Sequence, residues 1–395
     1  MTVRKGGGER LAHDRSPAAT SSPSREEVVV DDVYMRRALD LAARGAGLVS
    51  PNPLVGAVVV RDGEVVGEGW HEGPGRPHAE VLALEAAGAR ARGAALYVTL
   101  EPCAHFGRTP PCAPRVAEAG VTRVVAAMGD PNPAVDGRGL EALRAAGVEV
   151  AVGLLEEQAA RLNAPFLKHV RTGLPHVTLK MAASLDGKVA ARDGSSRWIT
   201  GEEARAEVHQ MRAAADAVVV GAGTAFRDDP SLTVRDPEYR GRPPLRVVVD
   251  GRGIVPETHV VFSDGRAPTL VATTEGAPGW RRDAWRAAGA EVLVLDDAGS
   301  ALIPLEGLFR ELGKRDVQQV LLEGGPTLAW EAVRRGLVDE VVLFFAPILV
   351  GGEEAPSVLM GGGIPTITDP FHLELVEVGR VGPDIKVVAR VHRDR

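Results

Sequence analysis

The sequence predicts an α/β protein with two domains. Its 395 residues exceed the size at which a single hydrophobic core keeps growing, so two cores are expected. Short apolar runs alternate with helix-forming stretches along most of the chain, which indicates strands layered against helices. Several runs in the second half are continuously apolar, as in strands buried on both faces of a parallel sheet.

The composition is typical of a globular protein from a reducing cytoplasm. The residues are 45% hydrophobic and 25% charged, and no apolar run reaches the length of a membrane span. A formal net charge of -7 argues against a nucleic-acid surface, because such surfaces carry a basic stripe. The two cysteines are expected to be free thiols that can act as ligands. We therefore expect a cytoplasmic protein with no nucleic-acid or membrane partner. The sequence does not give the oligomeric state, and a homo-oligomer stays an open alternative.

The first domain is expected over residues 28–173. The preceding segment, 1–27, is rich in Gly, Ser, Pro and Arg, which predicts a disordered extension. The domain begins with a helix whose expected N-cap is Asp31 or its neighbour Asp32, and a hairpin follows with its turn at 62–63. The further predicted elements are helix 79–91, strand 95–100, helix 111–119, strand 121–127, helix 139–146 and strand 148–152.

The second domain is expected over residues 174–395, with the boundary near Gly173. It repeats the alternation of strands and helices. A helix is predicted over 327–334, directly after a Gly-Gly turn. The predicted strands are 176–181, 217–220, 246–250, 269–273, 291–295, 317–322 and 341–347.

Three potential metal ligands occur in an order typical of a hydrolytic zinc site. His78 begins a predicted helix, Cys103 follows a predicted strand, and Cys112 begins another helix. Two thiolates and one imidazole leave the fourth position of a tetrahedral zinc ion open for water. Glu80 can face that position and exchange protons there without being a ligand. We also expect the helix N-terminus to favour the thiolate form of Cys112.

The ordered H-x-E and P-C elements are the pattern of nucleobase deaminases. The spacing departs from that pattern, because eight residues separate Cys103 from Cys112 where the common signature has two. The enlarged loop carries His105 and Arg108 toward the open metal position. The alternative interpretation of this segment is an ordinary surface loop.

Glycines in the second half offer a candidate phosphate site. Gly324 and Gly325 lie between a predicted buried strand and a predicted helix, whose free N–H groups can bind a phosphate. The same turn can equally be a plain strand-to-helix connection. The Gly221-x-Gly223 run lacks the third glycine of a dinucleotide fingerprint, which argues against a Rossmann domain.

Together these motifs resemble the family of bifunctional riboflavin biosynthesis deaminase-reductases. The resemblance implies a cytidine-deaminase-like three-layer α/β/α domain followed by a dihydrofolate-reductase-like α/β domain that uses NADPH. It extends over nearly everything from Asp32 onward. The runs that carry it are Pro51-Asn-Pro-Leu-Val-Gly56, His78-Ala-Glu80, Glu101-Pro-Cys-Ala-His-Phe-Gly-Arg-Thr-Pro-Pro-Cys112, Lys180-Met-Ala-Ala-Ser-Leu-Asp186-Gly187, 194–200, 221–224, 228–235 and 323–328.

The resemblance also implies two reactions and the residues that serve them. The first is zinc-dependent deamination of a diaminopyrimidinone ribosyl phosphate, and the second is hydride transfer from NADPH that reduces the ribosyl group to a ribityl chain. Asn52 and His105 are implied to hold the base, and Arg108 to contact the phosphate. The implied substrate residues of the reductase are Ser196, Arg212, Leu232, Arg235 and Glu323. The implied NADP residues are Ala182, Trp198, Thr224, Asp228, Gly325, Pro326, Thr327, Leu328, Ala329, Trp330 and Glu331.

Other interpretations stay open on the sequence alone. The chain could be a deaminase of tRNA or free cytosine with an unrelated second domain, although its acidic charge and long inter-cysteine loop argue against this. It could also be a binding protein that zinc merely stabilises, but structural zinc sites usually have four protein ligands. Trp198 and Leu232 could be core residues, and Arg212 a solvated helix residue. Lys180 and Asp186 are further candidates whose ordinary roles would be a strand end and a turn.

Overall fold

The computed structural model describes residues 25–106, 110–133, 135–236, 238–295 and 302–392. These residues form a five-stranded sheet and a nine-stranded sheet, and helices pack on both. The α/β prediction is thereby confirmed. All strands of the first sheet precede Gly173 and all strands of the second follow it, while the domain boundary itself stays a prediction.

The strands of the first sheet are β1 (Gly56–Arg61), β2 (Glu64–Trp70), β3 (Ala95–Val98), β4 (Arg123–Ala126) and β5 (Glu149–Val152). They lie in the order β2-β1-β3-β4-β5. Strand β1 is antiparallel to β2 and β3, whereas β3, β4 and β5 run parallel. The predicted hairpin is confirmed, and both turn residues, Asp62 and Gly63, have the positive φ that a two-residue turn of this kind requires.

Helices cover both faces of the first sheet. They are α1 (Arg25–Ala43), α2 (Ala79–Ala87), α3 (Cys112–Glu118), α4 (Arg138–Ala145), α5 (Glu156–Leu162) and α6 (Ala164–Thr172), with a 3-10 turn (Gly88–Ala91) after α2. Helices α2, α3 and α4 enclose a core with Leu96 and Val116 on one face. Helices α1, α5 and α6 enclose a second core with Met35 and Phe166 on the other face. The predicted three-layer arrangement is confirmed.

Helix α1 begins earlier than the sequence predicts. It starts at Arg25, so Asp31 and Asp32 both lie inside the helix and the prediction of either as N-cap is wrong. The Asp31 carboxylate accepts hydrogen bonds from the Arg123 guanidinium at 3.0 and 2.8 Å and from the Tyr97 hydroxyl. These partners, distant in sequence, explain why an Asp is stable in the middle of the helix. The extension predicted over 1–27 therefore ends in helix, and the rest of it lies outside the described residues.

The second sheet is mostly parallel. Its strands are β6 (His176–Ser184), β7 (Ala217–Gly221), β8 (Leu245–Val249), β9 (Thr269–Thr273), β10 (Glu291–Val294), β11 (Gln319–Glu323), β12 (Glu340–Ala346), β13 (Leu373–Val381) and β14 (Asp384–Val391). They lie in the order β10-β9-β8-β7-β11-β6-β12-β14-β13. All neighbours from β10 to β12 run parallel, and β14 is antiparallel to both β12 and β13. The hairpin of β13 and β14 is absent from the sequence prediction.

Helices also cover both faces of the second sheet. They are α7 (Glu202–Ala214), α8 (Ala222–Asp228), α9 (Val260–Ser263), α10 (Gly279–Ala287), α11 (Leu305–Gly313) and α12 (Pro326–Arg334). One core packs α11 and α12 against the sheet around Leu308, and another packs α9 and α10 around Trp285. The carboxyl ends of β6, β7 and β11 open at one edge, where open parallel sheets bind ligands. No helix in the described residues is both long and apolar enough to cross a membrane.

Candidate active sites

Three ligand side chains converge beyond the carboxyl end of β3. His78 is the N-cap of α2, Cys103 follows β3, and Cys112 is the first residue of α3. His78 Nδ1 lies 3.2 Å from Cys112 Sγ and 3.5 Å from Cys103 Sγ. Tetrahedral zinc would hold nitrogen and sulfur ligands about 3.5 Å apart, so the donor set fits zinc. Among the described residues, this is the one group of three or more His, Cys, Asp or Glu side chains placed to hold an ion.

The start of α3 donates a backbone hydrogen bond to the sulfur of Cys103. The Cys112 N–H donates to Cys103 Sγ, with an N···S distance of 3.4 Å. Hydrogen bonds from the Cys112 thiol, from His78 and from this N–H lower the pKa of Cys103 to about 4, against the opposing effect of burial. The hydrogen bond to Cys103, together with burial, raises the pKa of Cys112. The N–H of Cys112 thus serves the neighbouring sulfur. The thiolate expected at Cys112 when it ligates zinc stays a prediction.

A buried carboxyl group stands against the ligand cluster. Glu80 lies in the first turn of α2 and is only 3% exposed. Burial raises the pKa of Glu80 to about 7, although its own backbone N–H and His78 act in the opposite direction. Its carboxyl group also shares a hydrogen bond with Cys112. A carboxyl group in this position can both accept a proton and return it.

Two glutamate oxygens and one glycine fix the turn that carries Cys103. The carboxylate of Glu101, which is buried, accepts N–H hydrogen bonds from the segment 130–140, including those of Gly137 at 3.1 Å and Gly139 at 2.8 Å. A Cβ at Gly139 would lie 1.7 Å from the Pro102 carbonyl oxygen, so only glycine fits there. The role of Glu101 in the motif is therefore structural.

The loop between α1 and β1 brings Asn52 toward the metal ligands. Asn52 Nδ2 lies 2.8 Å from His71 Nε2, and His71 Nδ1 lies 3.1 Å from the Pro77 carbonyl oxygen. The amide nitrogen can only donate, so Nε2 accepts and Nδ1–H donates, which requires a neutral imidazole. Burial lowers the pKa of His71 and favours that form. Its ring meets the ring of His78 edge-on, with centroids 5.5 Å apart. Sequence reasoning missed His71. The available signal was its position shortly before the H-x-E motif, as a second histidine in the same segment.

The long loop between the cysteines is only partly described. His105 Nδ1 is buried and has no hydrogen-bond partner among the described residues, so it is available to a ligand. Arg108 lies outside the described residues. Asp130, which the sequence analysis did not select, lies near this histidine, and burial raises its pKa to about 6.

A second site is a cavity of about 1190 Å³ at the carboxyl ends of β6, β7 and β11. All five substrate residues predicted for the reductase line it, and Lys180 lines it as well. The predicted NADP residues that line it are Ala182, Trp198, Thr224, Asp228, Gly325 and Pro326. The remaining predicted NADP residues, which continue along α12 and are not among the lining residues, are Thr327, Leu328, Ala329, Trp330 and Glu331. Ala329 is fully buried in the core, and Glu331 pairs with Arg334 and Arg335.

A buried ion pair forms part of the cavity wall. Arg212 donates two hydrogen bonds to the Glu323 carboxylate, one of them from Nη2 at 2.7 Å. Burial acts to raise the pKa of Glu323. The charge and hydrogen bonds of Arg212, together with the charge of Lys180, lower it by more, so the pKa of Glu323 lies below its ordinary value. Burial also lowers the pKa of Lys180. Arg212 is therefore not a solvated helix residue.

Aromatic and glycine surfaces complete the cavity. Trp198 is 68% exposed, with the Arg205 guanidinium 4.6 Å from its ring centroid, so it is a wall residue rather than core. Gly324 and Gly325 have φ values of 72° and 81° at the start of α12, where a side chain would be strained. An open ring face, a bare backbone turn and a helix N-terminus fit a nicotinamide dinucleotide.

Two other candidates have structural roles in addition to, or instead of, the predicted ones. Leu232 lines the cavity but is also fully buried in the core beneath it. The Asp186 carboxylate accepts N–H hydrogen bonds from Val350 at 3.1 Å and Gly351 at 2.7 Å. Asp186 therefore closes a turn and is not among the cavity residues.

Comparison with known proteins agrees with this arrangement. Residues 29–128 match the cytidine and deoxycytidylate deaminase zinc-binding region, and residues 175–387 match the RibD C-terminal domain. The riboflavin biosynthesis protein RibD of Bacillus amyloliquefaciens is 46% identical over 91% of this chain and 96% of its own length. That of Escherichia coli K12 is 42% identical over 90% of this chain and 98% of its own length. The solved structure of Acinetobacter baumannii RibD is 38% identical, with a TM-score of 0.82 over 93% of this chain and 100% of that one.

The two sites and these matches define a bifunctional enzyme, a zinc-dependent deaminase joined to an NADPH-dependent reductase. The chain belongs to the RibD family of riboflavin biosynthesis deaminase-reductases. The predicted fold class, the two cofactors and the resemblance drawn from the sequence motifs are confirmed. The roles of individual site residues remain predictions.

Proposed function

We propose that this enzyme acts twice on one pyrimidine ribosyl phosphate. It deaminates 2,5-diamino-6-(5-phosphoribosylamino)pyrimidin-4(3H)-one and then reduces the ribosyl group of the product to a ribityl chain. One relative from Thermotoga maritima, 37% identical with a TM-score of 0.81 over 92% of this chain and 99% of that one, is described as a diaminohydroxyphosphoribosylaminopyrimidine deaminase/5-amino-6-(5-phosphoribosylamino)uracil reductase. The observation that carries the proposal is the His78, Cys103 and Cys112 cluster beside buried Glu80, in one chain with a cavity suited to a dinucleotide.

In the first reaction Glu80 moves the protons. When bound, zinc supplies the Lewis acidity that makes a water molecule nucleophilic at neutral pH. Glu80 accepts a proton from that water at a carboxylate oxygen and delivers it to the amine nitrogen that leaves as ammonia. Asn52 and His105 hold the pyrimidine, and Arg108 contacts the phosphate. His71 fixes the orientation of the Asn52 amide.

In the second reaction the chain orients substrate and cofactor. When bound, NADPH supplies the hydride for C1 of the opened ribose. Ser196, Arg212, Leu232, Arg235 and Glu323 hold the substrate. Within the described residues Arg235 forms no ion pair and donates one side-chain hydrogen bond, from Nη2 to Ser231 Oγ at 3.2 Å, which leaves its other N–H groups for a phosphate. Ala182, Trp198, Thr224, Asp228, Gly325 and Pro326 bind NADP at the cavity wall. The NADP roles of Thr327, Leu328, Ala329, Trp330 and Glu331 on α12 stay predictions.

Substrate choice separates this proposal from a cytosine or tRNA deaminase. The zinc-loaded full chain is incubated separately with the pyrimidine ribosyl phosphate, with cytidine and with tRNA, and ammonia is measured. We expect ammonia from the pyrimidine ribosyl phosphate alone. Ammonia from cytidine or tRNA, with none from the ribosyl phosphate, would establish the other deaminase.

We also propose that the enzyme is a cytoplasmic homo-oligomer. Both cysteines are free thiols, and a reducing compartment keeps them available as metal ligands, which supports a cytoplasmic location. Strand β13 is an edge strand, and a β-bulge keeps Leu373, Leu375 and Val378 on one face. Leu375 is 66% exposed and Val378 is 62% exposed. An exposed apolar face on an edge strand is suited to contact with a second copy of the chain.

Charged substitutions on this edge test the assembly. L375E/V378E is expected to convert the oligomer to a monomer in light scattering, because two carboxylates would face the apolar contact. The matched control is E374Q on the same strand, which should keep the wild-type mass. A wild-type protein that is already monomeric would reject the proposed homo-oligomer.

A further inference from the structure

The loop that carries Asn52 is held by a residue of the second sheet. Gln318 directly precedes β11, and its Nε2 donates to the Pro51 carbonyl oxygen at 2.7 Å. The two residues are 267 positions apart in sequence, and Gln318 is only 5% exposed. A partly buried hydrogen bond to the residue next to Asn52 therefore connects the reductase part of the chain with the deaminase site.

The backbone of Gln318 is fixed on both sides. Its N–H donates to Asp216 Oδ2 at 2.9 Å, and the same oxygen accepts the N–H of Gln319 at 2.9 Å. Its carbonyl oxygen accepts the N–H of His176 at 2.7 Å. Because the main chain is anchored to the neighbouring strands, the side chain reaches Pro51 from a rigid base.

The loop itself is also closely packed on α7. A Cβ at Gly47 would lie only 2.1 Å from the Ala213 carbonyl oxygen near the end of that helix. Further along the loop, the Asn52 N–H donates to the Val49 carbonyl oxygen at 2.8 Å. The Asn52 side chain donates a hydrogen bond to His71. The path from Gln318 to the ring beside His78 thus consists of consecutive close contacts.

We propose that Gln318 is a positioning residue for deamination, which it serves by fixing Pro51 and thereby the direction of the Asn52 amide. This inference rests on the proposed role of Asn52 in holding the pyrimidine. Without the hydrogen bond, the loop has more freedom and substrate binding must order it, which weakens binding. Glu80 and the three ligands lie on other elements, so the proton transfers after binding are preserved.

The test is the full-length, zinc-loaded variant Q318L, which keeps a similar volume and removes the donor. We expect the KM for deamination to rise about tenfold, the effect of one hydrogen bond, while kcat stays within about twofold. Bound zinc and the reductase KM for the deaminated substrate should equal those of the wild type. The control K168M removes a different contact to the reductase part, Lys168 to Asp339 at 2.6 Å, and should leave the deamination KM unchanged.

A double-mutant cycle with N52A separates positioning from general loosening. If Gln318 acts through Asn52, Q318L will raise the KM in the wild type but add little in the N52A background. Equal effects of Q318L in both backgrounds, or an equal KM increase in K168M, would overturn the inference. If N52A raises the KM but Q318L does not, the inference about Gln318 is also overturned, while the proposed function is unaffected. An unchanged KM in N52A itself would instead refute the proposed role of Asn52.

Discussion

Glu80→Gln is expected to lower the kcat of deamination by about 10²- to 10⁴-fold, the usual contribution of a positioned acid-base group. The amide keeps the size of the side chain and one acceptor oxygen but cannot carry a proton between water and the leaving amine. Ammonia release from the pyrimidine ribosyl phosphate is the measurement. Bound zinc should be unchanged, because His78, Cys103 and Cys112 remain.

The matched control for this prediction is Glu85→Gln. Glu85 lies on the same helix, is largely exposed and pairs with Arg115 on the surface, so its loss should not alter deamination. NADPH oxidation with the deaminated substrate should be normal in both variants. Wild-type ammonia release by zinc-loaded Glu80→Gln would refute the proposed mechanism and favour a zinc ion that only stabilises the fold.

Arg212→Met is expected to impair both the stability and the activity of the reductase part. It leaves the buried Glu323 carboxylate without its bidentate partner, and breaking such a pair costs about 3–5 kcal/mol of unfolding free energy. Lys180 nearby should keep the loss at the lower end of that range. Denaturant unfolding followed by tryptophan fluorescence measures the effect, since four of the five tryptophans follow Gly173. We expect NADPH oxidation to fall about 10- to 100-fold in kcat/KM.

The pH dependence of Arg212→Met has a definite sign. In the wild type the pKa of Glu323 is lower in the folded protein than in the unfolded chain. The charged carboxylate therefore adds stability at pH values above its pKa in the unfolded chain, and this stability is lost as the pH falls through its pKa in the folded protein. Without Arg212, burial raises the pKa of Glu323, so the variant gains relative stability as the carboxyl group is protonated. The stability gap between the two proteins should therefore narrow from pH 7 toward pH 5. R212M/E323Q should recover part of the loss at pH 7, and a gap independent of pH would contradict the ion-pair account.

The local parts of the fold and of the metal site could be predicted from sequence. The hairpin around Asp62 and Gly63, the helix after His78 and the strand before Cys103 each follow from neighbouring residue types. Propensity and turn chemistry act over a few residues, which is the range that a sequence pattern reports.

The features that sequence reasoning missed depend on contacts between distant residues. Asp31 resembles an N-cap but is stable inside α1 because Arg123 and Tyr97 bind it. The tertiary packing of α3, not its sequence, directs the Cys112 N–H to Cys103. Strands β13 and β14 were missed because β13 is largely exposed and mixes charged with apolar residues, without the continuous apolar run of the buried strands.

The predicted NADP residues show how far a motif can be extended. Gly325 and Pro326 reach the cavity because the chain turns there, at a positive φ that begins α12. Beyond them the helix period sends successive side chains in different directions, so Ala329 enters the core. The side chains of this run therefore do not form one contiguous cavity surface, and the NADP roles of residues 327–331 stay predictions.

The measurement that tests the central claim most directly follows both reactions in one protein. The full chain is given the pyrimidine ribosyl phosphate with and without NADPH, and ammonia release and cofactor absorbance are recorded separately. We predict ammonia release without NADPH, and with NADPH an equal amount of cofactor oxidation that follows it. The Glu80→Gln variant should oxidise NADPH only when it receives the deaminated substrate. Ammonia without any NADPH oxidation, or cofactor oxidation by Glu80→Gln with the undeaminated substrate, would contradict a deaminase and a reductase acting in that order.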